Sequence, residues 1–143
     1  MPDQNADNQL DLDIIKIKMK LHQNKGEITV VIDLSYSSPI AEIKDFILHE
    51  QCPFIESQID KGLVKFEWFI DEASNRATLL EIFESPEAWE DLANKVIGTP
   101  VNIKFGQLFN IEKMTILGEP TQNLQDKLQA MKPTTKLYVG GIN

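Results

Sequence analysis

Glu81 is the residue whose type and setting first suggest chemistry. It stands between Leu79-Leu80 and Ile82-Phe83, where an unpaired carboxylate is costly to desolvate. A carboxyl in such a place has a raised pKa and suits a base or hydrogen-bond acceptor facing a cavity. The same position also fits a structural acceptor, or an ion pair with Lys65 across a hairpin. The register decides between them. A four-residue loop between the two strands sets Glu81 opposite Phe66 and near Trp68; a three-residue loop sets it opposite Lys65. Phe66 and Trp68 share a strand face with Val64 and Ile70 in this reading. Such a stripe more often forms core or subunit interface than a substrate cage.

Other reactive residues are few. His49 and Cys52 lie three apart near the expected end of a helix, so both can face one way. A zinc site needs about four ligands, and only Glu50 and Glu56 stand nearby. The plainer reading is a helix-end histidine complementing the dipole beside a buried thiol. His22 reads as an exposed strand end. Two histidines and one cysteine offer no nucleophile, base and orienting group in sequence. No glycine-rich loop follows a strand at phosphate-cradling spacing. The sequence therefore predicts no metal and no cofactor.

Composition narrows the partners. Twenty-two acidic against fourteen basic residues give a net charge of −8, which repels phosphate backbones and anionic lipids. Lys16, Lys18 and Lys20 alternate with Ile15, Ile17, Met19 and Leu21, the pattern of the wet face of an amphipathic strand. No nucleic acid and no membrane is expected as a partner. The chain has 143 residues, 42% of them hydrophobic, which suffices for one domain with its own core. The lone Cys52 excludes a disulfide framework. The first residues are polar and acidic, without a basic start or apolar run. A cytoplasmic protein follows, with a flexible arm over residues 1–9 and a single domain over 10–143.

The elements that would position Glu81 alternate in type. Strands are expected over Leu12–His22 and Glu27–Leu34, joined by a turn at Gln23-Asn24-Lys25-Gly26. Ser37-Ser38-Pro39 predicts a hydroxyl-capped helix carrying Ile40, Ile43, Phe46 and Ile47 inward, ended or kinked by Pro53. A short helical piece then carries Phe54, Ile55 and Ile59 to Gly62. Strands return over Leu63–Ile70 and Arg76–Phe83. Ser85-Pro86-Glu87 starts a helix that buries Ala88, Trp89, Leu92, Ala93, Val96 and Ile97 and stops at Gly98-Thr99-Pro100. A long strand over Phe105–Leu117, a helix presenting Leu124, Leu128 and Met131, and a closing strand over Lys136–Val139 complete the chain. From Glu27 to Leu117 the order is strand, helix, strand, strand, helix, strand: a ferredoxin-like α+β domain. Two helices cover one face of such a sheet, yet Val31, Phe69 and Leu80 make the other face apolar too. A second copy of the chain is the expected cover.

The run 62–69, Gly-Leu-Val-Lys-Phe-Glu-Trp-Phe, and the run 80–88, Leu-Glu-Ile-Phe-Glu-Ser-Pro-Glu-Ala, resemble the antibiotic biosynthesis monooxygenases. This dimeric α/β-barrel group includes quinol monooxygenases. The later Ile116-Leu117-Gly118-Glu119-Pro120 and Tyr138-Val139-Gly140-Gly141 resemble the tail of one branch. The resemblance implies a homodimer whose sheets meet face to face, with a small-molecule cavity between each sheet and its helices. It also implies oxidation of a phenol- or quinol-like compound by oxygen without a bound metal or flavin. The pocket residues would be Glu81 as the catalytic group, with Trp68, Phe66, Phe83 and Leu92 against the substrate. Many members carry His at the position of Leu92, or of Asp91 if the match slides by one. Neither residue replaces imidazole as a base near neutral pH. The alternative implied by that departure is a non-catalytic binding or assembly module of the same fold.

Overall fold

The computed structural model describes residues 24 and 26–142. The expected strand at Leu12–His22 and the arm over residues 1–9 lie outside them. Gly26–Leu137 form one compact unit. In the other unit the described residues Tyr138–Gly141 run without helix or strand. Among the described residues no helix is long and apolar enough to cross a membrane.

The first strand, β1 (Ile28–Tyr36), shows the strict alternation its sequence predicts: Ile28, Val30, Ile32, Leu34 and Tyr36 are all buried and the residues between them are half-buried. Alternate residues of a strand point to opposite faces, so one face of β1 is core. Pro39 itself caps the following helix, α1 (Ile40–Asp45), and its carbonyl takes the first helical N–H bonds from Glu42 and Ile43 at 3.0 and 3.2 Å. No side chain caps this end, contrary to the serine cap that Ser37-Ser38 suggested.

Pro53 neither ends nor breaks the helix. The chain passes through a π-helical stretch (Phe46–Gln51) directly into α2 (Cys52–Gln58). The Cys52 N–H bonds the Ile47 carbonyl, a five-residue reach. Pro53 then sits in the first turn of α2, directly after the wider π turn. The wider turn has a second effect. Ile43, Ile47, Gln51 and Ile55 recur every four residues, and at 3.6 residues per turn that spacing drifts about 40° per step around the axis. The π stretch offsets the drift, and all four side chains end up buried. His49 consequently lies within a continuous helical segment rather than at a helix end, with its Nδ1 3.0 Å from the Asp45 carboxylate. The dipole-complementing role expected of it does not apply.

β2 (Leu63–Asp71) and β3 (Arg76–Phe83) form the expected hairpin, with the four residues 72–75 between Asp71 and its partner Arg76. This is the longer of the two loops considered above, and Phe66 pairs with Glu81. A bulge between Leu63 and Lys65 corrects the inward stripe: Leu63 pairs with Phe83, while Val64 is 50% exposed. Lys65 pairs with Ile82 and so lies on the face opposite Glu81. The ion pair considered for these two residues is absent. Gly62, just before β2, has φ +92° and lies against Ala88, where a Cβ would stand 2.5 Å from the Ala88 Cβ.

α3 (Pro86–Val96) starts as expected, with the Ser85 hydroxyl accepting the Ala88 N–H at 3.1 Å. It ends before Ile97, which is 53% exposed. Thr99-Pro100 stops nothing; it starts α4 (Pro100–Leu108), with the Thr99 hydroxyl accepting the Asn102 N–H. This is the same hydroxyl-then-proline signal as Ser85-Pro86. The strand expected from Phe105 begins only at Phe109, as β4 (Phe109–Leu117). α5 (Gln122–Leu128) follows, capped by Thr121, and β5 (Thr134–Lys136) pairs in parallel with β4. That last strand is shorter and earlier than expected, and Leu137–Val139 lie outside it.

The product is an α+β unit with a five-stranded mixed sheet in the order β2-β3-β1-β4-β5. β1 pairs antiparallel with both β3 and β4. Ile28, Val30, Ile43, Phe46, Phe83 and Leu124 are fully enclosed between sheet and helices. At about 25 cal/mol per Å² of apolar area removed from water, such burial is the main term holding the unit together. On the other face Phe69 is 56% exposed and Leu117 41% exposed.

Candidate functional site

The helices leave a gap over the middle of the sheet. β3 presents Leu79 and Glu81 toward them, β1 presents Ile32, β2 presents Phe66, and β4 presents Ile111 and Met114. The opposing wall comes from Gln51, Ile55, Leu92, Phe105 and Leu124, among others. Between them lies a cavity of about 150 Å³. Ile97, Ile111 and Met131 belong to its lining and are exposed, so they mark the mouth. Other recesses, beside Phe69 and Arg76 and between Pro120 and Thr135, are open grooves of the surface.

Three polar side chains interrupt the apolar lining: Glu81, Gln51 and Asn102. Glu81 sits between Val30 on β1 and Phe66 on β2. What surface it retains faces the cavity, and burial pushes its carboxyl up to about 7. Among the described residues its carboxyl has no hydrogen-bond or ion-pair partner. Desolvation is the cause of the rise, and it favours the protonated carboxyl up to near neutrality.

Gln51 is 6% exposed, and an amide there needs a partner. Its Oε1 accepts the Trp68 indole N–H at 2.7 Å. Trp68 is in turn held by Phe105 and Phe109, with ring centroids 6.1 and 5.0 Å away. The Asn102 Oδ1 accepts the Gly98 N–H at 3.2 Å, tying the start of α4 to the end of α3 at the cavity.

The residues singled out from sequence fall into two groups. Glu81, Phe66 and Leu92 line the cavity together. Phe83 is fully buried, stacks on Trp89 at 6.2 Å, and faces a separate small recess with Leu63 and Ala88. Trp68 stands behind Gln51 rather than in the lining. Sequence reasoning missed Gln51, whose signal was its place in the four-residue series Ile43, Ile47, Gln51, Ile55. It also missed Asn102, and it set Phe105 in a strand, because both belong to the helix read as a stop. Among the described residues no three His, Cys, Asp or Glu side chains gather as metal ligands. Cys52 is half-buried, and burial pushes its thiol up, away from the reactive thiolate.

The α+β fold around this cavity is shared with solved structures, one of them a cofactor-independent oxygenase. MupZ from Pseudomonas fluorescens superposes with a TM-score of 0.63 at 13% identity, over 80% of this chain and 92% of that one. A single-site mutant of SnoaB from Streptomyces nogalater, a cofactor-independent oxygenase, superposes with a TM-score of 0.55 at 14% identity, over 67% of this chain and 95% of that one. At these identities the likeness shows the fold alone. No family model and no curated protein matches the sequence.

Proposed function

We propose that this chain is an oxygenase-type protein that binds one oxygen-bearing aromatic ring in the cavity over Glu81. The observation that carries the reading is the Glu81 carboxyl, without a partner among the described residues and raised to near neutrality in a mostly apolar cavity. Such a group accepts the proton of a phenol or hydroquinone. The resulting electron-rich ring is the electron source for oxygen, as the family resemblance implies. Size supports a small substrate: an apolar cavity of about 150 Å³ takes up a benzene-sized molecule, and this cavity has that volume. A larger fused-ring compound would extend past the mouth at Ile97, Ile111 and Met131. The strand order supports reading the unit as a ferredoxin-like βαββαβ half of a dimeric α/β barrel. The exposed Phe69, Val64 and Leu117 support a second copy covering that face. A cytoplasmic location belongs to the same reading, supported by the lone Cys52.

One observation favours a second reading, a binding module without turnover. Among the described residues no histidine lines the cavity, and Leu92 occupies the position where the resembled family often carries one. Oxygen uptake with phenol, catechol and hydroquinone, run beside a direct binding measurement, separates the readings. Uptake that is lost in Glu81→Gln supports the oxygenase. Ring binding without uptake supports the module, and no binding of any ring refutes both.

A further inference from the structure

Gln51 owes its place to two independent features. The π-helical stretch keeps it on the buried face of its helix, and π-bulges are frequent at functional sites. The Trp68 N–H then fixes which end of the amide points where. A donor can meet only the carbonyl oxygen, so Oε1 faces Trp68 at 2.7 Å, and turning the amide over would set two donors against each other. Trp68 cannot follow, because Phe105 and Phe109 pack on its ring. The other end of the amide, the Nε2 donor pair, has no acceptor among the described residues. It belongs to a side chain that is nine-tenths buried and lines the cavity.

We infer that Gln51, held by Trp68, is a specificity-determining residue that donates its amide N–H to an acceptor oxygen of the ring bound in the cavity. The assignment rests on the cavity being the ligand site, as proposed above. It adds a requirement that Glu81 does not make: the ligand must carry a carbonyl, phenolic or phenolate oxygen on the side that faces Gln51. Glu81 exchanges a proton, and Gln51 discriminates by a donor that never ionises. A hydrocarbon ring of the same size fills the same volume but leaves the amide unmet, so the site rejects it relative to its oxygen-bearing counterpart.

Benzaldehyde and toluene test this, since they match in size and only the first offers an acceptor. Their affinities are measured by ligand-observed NMR on the parent, Gln51→Leu and Trp68→Phe. The parent is expected to prefer benzaldehyde by about tenfold, the worth of one hydrogen bond. Gln51→Leu should bind both probes alike, with toluene uptake retained. Trp68→Phe leaves Gln51 in place but frees the amide to turn, and should cut the preference while keeping toluene binding; it serves if Gln51→Leu fails to fold. A parent without preference, or a preference that survives both Gln51→Leu and Trp68→Phe, overturns the role of Gln51 while the cavity stands. Binding of neither probe by the parent overturns the cavity as a ligand site and this role with it.

Discussion

Replacing Glu81 by Gln keeps the side-chain shape and removes the ionisable proton, so it isolates the cost of burying the charge. The folded pKa of about 7 lies above the ordinary value of 4.5. The folded state therefore holds the proton more tightly than the unfolded chain. The stability this contributes is fully present below pH 4.5 and is lost as pH rises through 7. The whole rise corresponds to about 3 kcal/mol at about 1.36 kcal/mol per unit. Working close to the sequence pI of about 4.7 invites precipitation, so about pH 5.5 and about pH 8.5 are the useful pair. Between them about 1.5 units of the window are crossed, or about 2 kcal/mol. Urea unfolding at both values, with a slope of about 1–3 kcal/mol per molar, should place the Glu81→Gln midpoint above the parent's. That gap should widen by about 1 M from the lower pH to the higher. Lys65 lies on the other sheet face, so Lys65→Met should add to Glu81→Gln within about 0.5 kcal/mol. A gap equal at both pH values would refute the desolvated carboxyl. Strong coupling to Lys65 would refute the register argument that turns the two residues apart.

Light scattering at micromolar concentration should give twice the chain mass of 16.3 kDa. Phe69→Lys, on the exposed sheet face, should shift the protein toward monomer with its circular dichroism unchanged; a parent that stays monomeric would refute the paired-sheet reading. Gly62→Ala should cost about 1–3 kcal/mol, because it combines a positive φ with a Cβ driven against the Ala88 Cβ. Gly98→Ala shares the positive φ but meets open space. It should lose less in a thermal melt, and equal losses would show that the close approach to Ala88 carries no weight.

Elements whose signals are local were legible in the sequence. The alternation in β1, the β2–β3 hairpin and the Ser85-Pro86 start of α3 each depend on residues a few positions apart. A strand's two-residue period and a hydroxyl cap act over one turn of chain. Once the loop length was known, the alternation in β3 sufficed to turn Glu81 inward opposite Phe66. Other features required the whole fold. Thr99-Pro100 carries the same local signal as Ser85-Pro86, but directly after a finished helix it reads equally well as a stop. Docking of Phe105 against Trp68 is what favours a new helix there. Pro53 locally predicts a break; a π turn absorbs it because Ile55, beyond the proline, must reach the same core as Ile47. The bulge that turns Val64 out and Leu63 in depends on pairing with β3, which the β2 sequence does not contain. The hydrogen bond between Gln51 and Trp68 joins residues 17 positions apart. Neither residue signals the other in sequence, because it is packing of helix on sheet that closes the distance and makes an unbonded amide there too costly. The sequence by itself singled out the one carboxyl set within an apolar strand, and only tertiary structure decided which face it takes and what stands across the cavity from it, because pairing with β2 fixes the register.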